Sequence, residues 1–393
     1  MTPQERRSSA SLALIFALRM LGLFLVLPVF ALEAQKYPGG EDAAMVGLAL
    51  GLYGLTQAVF QLPLGLASDR WGRKRVIVLG LGVFAIGSLV AALADSLMGL
   101  MLGRALQGAG AVSAAVTALM ADLTRDSVRT KAMAMVGGSI GLMFALALVL
   151  SPVLAAWGGL AGIFGLTFAL ALAGIAVVLW VVPAEPAQHR DAPRGRPVEL
   201  LQHKDLLRLN MGVFILHTVQ MSMWVAVPAL LVAAGLEKSV HWKLYLPTVL
   251  LSFIAMGLLF SMERKGKLRT AFLGAIGLVL LVQLGLGFVA SGAAAPSLAV
   301  MGVLMLVFFV GFNALEATQP SLVSRMAPAH LRGAALGAYN TLQSLGLFAG
   351  GFLGGLLAKW GGILGLFAVT AALMVLWLMV AWPMQPVGRP ARA

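Results

Sequence analysis

Two stretches of this chain, Ala132 to Ala184 and Thr270 to Leu315, contain no Asp, Glu, Lys or Arg. No water-soluble fold covers that much uninterrupted apolar chain. Each stretch is too long for one membrane crossing, which takes about 20 apolar residues within a range of ~17–25. Each also contains a break, Trp157-Gly158-Gly159 in the first and Ser291-Gly292 in the second. Splitting both there, the uncharged stretches predict twelve spans. The first six lie near Ser9 to Leu32, Ala43 to Ser68, Val76 to Ala94, Leu97 to Ala121, Ala132 to Ala156 and Leu160 to Val182. The second six lie near Leu209 to Ala234, Leu244 to Met262, Thr270 to Ala290, Ser297 to Ser324, Gly333 to Ala358 and Ile363 to Trp382. Composition agrees, with 60% hydrophobic and 11% charged residues against about 25% charged in soluble domains.

The formal charge of +13 would suit nucleic acid only if the basic residues shared one solvated face. Instead it reports topology. With the N-terminus inside and an even span count, 22 of the 28 Lys and Arg fall in the loops and tails on the N-terminal side. Lys36, Lys238, Lys243 and Lys359 fall on the other side, and Arg19 and Arg104 lie within spans. Basic loops stay cytoplasmic, so the expectation is a multi-pass inner-membrane protein with both termini in the cytoplasm. The apolar stretch that ends at Leu32 is too long for a signal-peptide core of about 7–15 residues and reads as an uncleaved first helix. Cysteine is absent, which removes disulfides and thiolate metal sites and says nothing of redox compartment. No metal or cofactor is expected.

The longest polar connection, Pro183 to Arg208, carries Pro183, Pro186, Pro193 and Pro197 and falls almost midway. It divides the chain into a six-helix bundle over 1–182, a cytoplasmic linker over 183–207 and a second bundle over 208–393. An internal repeat supports the division. Arg129, Trp157-Gly158-Gly159, Gly162 and Phe164 recur 203 positions on as Arg332, Trp360-Gly361-Gly362, Gly365 and Phe367. Transporters use such repeats to build alternating access, with the solute site near the midplane between the repeats.

Charges within spans are costly and point to function. Arg19, Arg104 and Glu316 are so placed, with His217 the one histidine. They fall on spans one, four, ten and seven, the first helix of each three-helix quarter, and the expectation is that these helices line a common cavity. Two readings stand for Glu316: a carboxylate that binds a coupling proton, or a structural ion pair with an arginine. Asn313, three residues earlier, would share its helix face. Arg104 reads as an electropositive cavity residue with Gln107 one turn along. Arg19 lies about ten residues into its span, roughly 15 Å deep at 1.5 Å per residue, too far for easy snorkelling. His217 is open between cavity ligand and a neutral histidine bonded to a neighbouring helix. Tyr53, Gln57, Trp224 and Asn340 are read as polar or aromatic cavity liners, against packing roles for each. Gly47, Gly51 and Gly54, Gly137 and Gly141, and Gly346, Gly350 and Gly354 are spaced for close helix packing, which would also suit a rocking interface.

The loop after span two reads Gly65-Leu66-Ala67-Ser68-Asp69-Arg70-Trp71-Gly72-Arg73-Lys74-Arg75. Topology anchoring explains its Arg and Lys but not Asp69 at a helix end or the glycines. The segment resembles the G-x-x-x-D-R-x-G-R-K signature of the major facilitator superfamily, with a degenerate counterpart at Glu263-Arg264-Lys265-Gly266-Lys267. Arg104-Ala105-Leu106-Gln107-Gly108-Ala109-Gly110 resembles that family's span-four motif R-x-x-Q-G-x-G, often linked to proton coupling. Phe16 to Pro28, Tyr53 to Lys74 and Asp122-Leu123-Thr124-Arg125 look like the YajR-type branch of inner-membrane transporters. The resemblance implies an all-α fold of twelve transmembrane helices in two pseudo-symmetric six-helix bundles. It also implies a gate made of Gly65, Asp69, Arg70, Gly72, Arg73 and Asp122, in which Asp69 faces the start of span eleven near Gly333 while Arg73 pairs with Asp122. Ser151-Pro152-Val153-Leu154-Ala155-Ala156 departs from the family's antiporter motif, a Gly-Pro followed by paired glycines. YajR-type chains can carry a soluble C-terminal domain. This chain stops about eleven residues after span twelve, so regulation by such a domain is not expected.

The expected function is secondary transport, because no G-x-x-x-x-G-K-[ST] loop is present for ATP-driven work. It is read as proton-coupled export of hydrophobic or drug-like solutes. The partners would be a small-molecule solute, protons and membrane lipid, with no nucleic acid, and the chain would work as a monomer. An importer or facilitator of the same fold is the near alternative. A receptor or scaffold, and a membrane-embedded enzyme, are the readings from other classes; a single deep acid and scattered histidines argue against an enzyme.

Overall fold

The computed structural model describes residues 1–185, 197–292, 297–328 and 331–384. Among them the chain is helical, with no strand. In order come α1 (Pro3–Phe24), the short α2 (Phe30–Glu33), α3 (Ala43–Trp71), α4 (Arg73–Ala92), α5 (Leu97–Ala109) and α6 (Ser113–Asp122). Then follow α7 (Asp126–Trp180), α8 (Lys204–Ala233), α9 (Trp242–Arg264), α10 (Leu268–Ala290), α11 (Leu298–Met326) and α12 (Arg332–Ala381). Residues 186–196 of the predicted linker, and the tail beyond Met384, lie outside the described residues.

Local chemistry sets where the helices begin. α1 starts ahead of the predicted Ser9 because Thr2 and Glu5 form a reciprocal capping box with Pro3 at the first helical position. The Asp42 carboxylate accepts from the amide of Ala44 at 2.9 Å and starts α3.

Among the described residues, eight helices are long and apolar enough to cross a membrane. Two of them, α7 at 55 residues and α12 at 50, exceed any single crossing. Each contains a glycine with positive φ, Gly159 at 57° and Gly362 at 66°, where the chain turns back. Before Gly159, Ser139 donates to the carbonyl of Ala13 and Ser151 to that of Leu25, so this part of α7 runs alongside α1. After Gly159 the order reverses: Thr167 reaches Gly22, and Val178 shares an apolar cluster with Leu12 and Ile15. In α12, Gly346 and Gly350 lie on the carbonyls of Phe214 and Thr218, and the indole of Trp377 then returns to Gly212. The Trp-Gly-Gly repeat thus marks two equivalent hairpin turns, at the two places where only glycine tolerates the backbone. With α5 and α6 as one segment broken at Gly110–Val112, the arrangement is consistent with twelve crossings.

α1 and α3–α7 pack among themselves, as do α8–α12, giving two helical bundles. Between the bundles, α3 packs along the first part of α12, and α7 meets α9. Met1 and Met384, the first and last described residues, mark one face of the molecule, called here the terminal face, and the loops after α1 and α8 mark the far face. Along the α3–α12 seam the helices run antiparallel in one register. Gly355 lies on Ala43, Gly351 on Gly47, Phe348 on Gly51 and Ser344 on Gly54. A methyl group added at Gly51 would sit 2.6 Å from the carbonyl oxygen of Phe348, so small residues are what allow this approach. Continued toward the terminal face, the same register would set Gly65 opposite Gly333. It does not hold that far: an added methyl at Gly65 meets only Ala114, and those at Gly333 and Gly337 meet open space. The helices touch from the far face to mid-depth and then splay. Of the other predicted glycines, Gly346, Gly350 and Gly354 pack α12 onto α8, whereas Gly137 has no close neighbour and Gly141 touches only the ring of Phe253.

Candidate functional site

The first bundle holds a polar core built from α1, α3, α4, α5 and α6. Arg19 of α1, 2% exposed, donates from Nη2 to the Tyr53 hydroxyl at 2.9 Å and from Nη1 to Ser113 at 3.1 Å. Arg104 of α5, fully buried, donates to the Gln107 side-chain oxygen at 2.9 Å and to the carbonyl of Leu50 at 3.4 Å. Its guanidinium lies 4.9 Å from the centre of the Tyr53 ring, within cation–π range. Gln107 in turn donates to Ser88 at 2.9 Å. The motif glycines make this geometry reachable, since Gly108 lies against the backbone of Tyr53 and Gly110 against Gly80 and Phe84. Tyr53 thus sits between two guanidiniums, at the hydroxyl of one and under the face of the other. Neither cation has a carboxylate partner among the described residues, and both Nε atoms are buried without an acceptor.

The second bundle holds a different cluster. His217 of α8, 4% exposed, has Nδ1 at 2.9 Å from the carbonyl of Val213. A carbonyl only accepts, so Nδ1 carries the proton and Nε2 is left for the groups facing it. Those are Glu316 Oε1 of α11 at 3.2 Å and the Gln343 side-chain nitrogen of α12 at 2.8 Å. The contact between His217 and Glu316 is an ion pair only when Nε2 also carries a proton. The Gln343 amide serves either form, donating to a neutral ring or, turned over, accepting from a charged one. Oε1 lies off the line of a hydrogen bond, and the Glu316 side chain is 33% exposed. The acid is therefore both paired and reachable by solvent.

Beyond this cluster, toward the far face, aromatic rings close the seam. Phe144 of α7 meets Phe24, Trp224 and Phe309 with ring centres 5.1, 6.4 and 6.0 Å apart. Trp224 also meets Tyr245 edge-on at 5.7 Å. At the far face two ion pairs cross between the bundles: Lys238 to Glu33 at 2.5 Å and Lys359 to Asp42 at 2.7 Å. Glu33 is 2% exposed and also takes Lys36 at 2.5 Å. Lys359 holds the Asp42 carboxyl below the usual carboxylate range.

On the terminal face the Gly65–Arg75 loop is held within the first bundle. Arg73 pairs with Asp122 at 3.2 Å and with Asp69 at 2.5 Å, and donates to Ser68 at 2.7 Å. Gly72 has a φ of 100°, which turns the chain so that the amide of Arg73 meets Glu185 at 2.7 Å. The implied Arg73–Asp122 pair is formed, while Gly333, the implied neighbour of Asp69, stands in open space. Arg70 is exposed. In the second-half counterpart, the side chains of Glu263 and Arg264 lie outside the described set.

The four intramembrane residues are therefore brought together as two pairs rather than one ring. Arg19 and Arg104 meet through Tyr53, and His217 meets Glu316, so the partner of the acid is a histidine and neither arginine. Asn313 points elsewhere, donating to Ser252 of α9 at 2.8 Å. Gln57 and Asn340 are half-buried on facing helices just where α3 and α12 diverge, and Trp224 belongs to the aromatic closure. Sequence reasoning passed over Gln343 and the bridging acids Glu33 and Asp42. Gln343 had a signal, an amide one turn from Asn340 inside an apolar helix. The acids had none, because loop charges look alike until their partners are placed.

Comparison with known proteins agrees with this architecture. The family model described as Major Facilitator Superfamily matches residues 12–351. The chain is 44% identical over 390 residues to the inner membrane transport protein YajR of Escherichia coli (strain K12), covering 98% of this chain and 85% of that protein. It is 28% identical over 364 residues to the class G tetracycline resistance protein of Vibrio anguillarum, covering 88% of each. Among solved structures, a bacterial homolog of the human lysosomal transporter Spinster, in an inward-facing and unoccupied conformation, superposes with a TM-score of 0.74 at 16% identity, covering 97% of this chain and 96% of that one. The chain belongs to the Major Facilitator Superfamily of transporters.

Proposed function

We propose that this protein is a proton-coupled exporter of hydrophobic or drug-like solutes that works by alternating access as a monomer. Its moving bodies are residues 1–182 and 208–393, joined by the linker 183–207. The terminal face is the cytoplasmic one, a reading supported by the basic loops gathered there. The conformation described above is then open to the cytoplasm and closed outside.

The observation that carries the reading is the His217–Glu316–Gln343 cluster. It holds a titratable pair at mid-depth, solvated from the terminal side and sealed from the far face by aromatic rings. An acid so placed releases its proton to the cytoplasm in this state. When the far-face ion pairs part and the cytoplasmic side closes, it takes up a proton from outside. Solute entering from the cytoplasm favours the deprotonated site, and protonation from outside favours its release, so inward proton flow drives outward solute flow. The fixed cations Arg19 and Arg104 keep the cavity electropositive. Asp69, Arg73 and Asp122 form the cytoplasmic latch, which engages α12 only when Gly65 and Gly333 come together. The direction of transport is supported by the resistance proteins among the relatives, including the multidrug resistance protein MdtH of Aeromonas hydrophila, 28% identical over 87% of this chain.

A solute screen in cells lacking their own exporters, followed by transport of each hit by the purified protein in proteoliposomes, tests the proposal. An imposed inward proton gradient should accelerate efflux. Flux indifferent to the gradient would remove proton coupling, and accumulation in the opposite direction would make the protein an importer.

A further inference from the structure

The three side chains of the proton cluster come from α8, α11 and α12, and on each helix a further polar residue on the same face lies toward the terminal side. Asn210 is seven residues before His217, Gln319 three after Glu316 and Tyr339 four before Gln343, offsets that keep a helical face. Gln319 is fully buried and Tyr339 is 2% exposed. Both amide atoms of Gln319, the Tyr339 hydroxyl and the Asn210 side-chain oxygen lack a hydrogen-bond partner among the described residues. Tyr339 lies within electrostatic reach of Glu316. In the other direction these faces carry the apolar Met221, Phe312 and Leu347, Trp224 packed edge-on against Phe144 and Tyr245, and Asn313, whose amide already donates to Ser252.

Buried polar atoms are almost always hydrogen-bonded, to protein or to ordered water. The unmet donors and acceptors of Asn210, Gln319 and Tyr339, one to two turns from the cluster on three helices of one bundle, are the kind of polar partners, two to four in number, that a buried water needs. We propose that Asn210, Gln319 and Tyr339 hold ordered water that carries protons between Glu316 and the cytoplasmic side, inside the second bundle and apart from the solute path along the α3–α12 seam. The proposal rests on the reading of Glu316 as the proton site. Each hop breaks one O–H bond and forms another. When the site unloads, the carboxyl of Glu316 gives one proton to the nearest water, that water passes a proton on, and solvent on the cytoplasmic side gains one; the same path run backwards reloads the acid after a pH jump. The Tyr339 hydroxyl takes a proton on its free lone pair as it gives its own to the next oxygen. The Gln319 amide neither gains nor loses a proton and acts as a positioning residue that holds the water.

Two measurements on the full chain in lipid nanodiscs test this. In radiolytic footprinting, where hydroxyl radicals form from bound water, Tyr339 should be oxidised several-fold faster than the equally buried Tyr53; reactivity equal to that of Tyr53 overturns the water layer. In pH-jump infrared spectroscopy, the Glu316 carboxyl band is the one that Glu316→Gln removes. Tyr339→Phe combined with Gln319→Leu should slow its appearance by about a hundredfold, the usual order for losing a proton-transfer group, without changing its final amplitude. Tyr339→Phe alone, which keeps the ring, should slow it in the same direction. Wild-type rates in both variants overturn the path. If Glu316→Gln removes no band, the reading of Glu316 as the proton site fails instead, and footprinting at Tyr339 still decides whether water is held there.

Discussion

Each bundle holds one polar cluster, and the two are built from opposite chemistry. In the first, Arg19 and Arg104 are permanent cations, buried and fixed by neutral acceptors and the Tyr53 ring. Nothing there changes charge under physiological conditions, because arginine does not release its proton. In the second, His217 stands 3.2 Å from Glu316, a carboxylate that is a third exposed. The fixed cations tie α1, α3 and α5 into one body, while in the proposed mechanism the second pair is the variable charge.

The largest expected effect breaks the comparison at its variable side. Glu316→Gln should abolish gradient-driven transport while leaving the protein folded and able to exchange solute at equal pH. Unchanged proton-driven flux in proteoliposomes would take Glu316 out of the mechanism. Next, Arg104→Lys tests whether the other cluster is fixed by geometry rather than by charge. An ammonium cannot reach both Gln107 and Leu50 while lying over Tyr53, so thermal unfolding in detergent should show a loss of roughly 2 kcal/mol, the scale of hydrogen bonds to a charged group. A melting curve like that of the wild type would mean that charge alone suffices.

Two smaller effects sharpen the comparison by moving the equilibrium that exposes Glu316. Asp69→Asn should slow turnover about 2- to 5-fold without changing solute affinity in a single state, since a carboxylate at a helix N-terminus is worth ~0.3–1 kcal/mol. Equal turnover would count against the latch. At the far face the direction with pH follows from Lys359, which lowers the Asp42 pKa in the closed state. That closure is at full strength above the ordinary carboxylate value of about 4 and weakens as pH falls through the lowered one. A spin-label distance across the far face, on single cysteines introduced into this cysteine-free chain, should lengthen slightly with acid. The change should vanish in Asp42→Asn, and a persistent change there would assign it to another group.

Much of this was legible before the fold was known. Apolar runs specify membrane-crossing helices by themselves, since hydrocarbon accepts only apolar helices and leaves each charge to be explained. The Trp-Gly-Gly repeat located both hairpin turns because the backbone there admits only glycine. The span-four motif was readable as a unit, its glycines opening the space into which Arg104 and Gln107 reach. Partner choice was not readable. Glu316 had three candidate cations within the spans, and the sequence separates them by position along the chain rather than in space; Asn313 had the right helical phase to join Glu316 and bonds Ser252 instead.

The sequence by itself determined that this chain is a two-bundle membrane carrier, because hydropathy, charge and repeat length act locally along the chain. Only the tertiary structure decided that its intramembrane charges form two separate clusters, that histidine is the partner of the acid, and that the seam is shut at one end and open at the other. Those outcomes depend on which helices meet across the bundles and at what depth, and small differences in register and splay settle them.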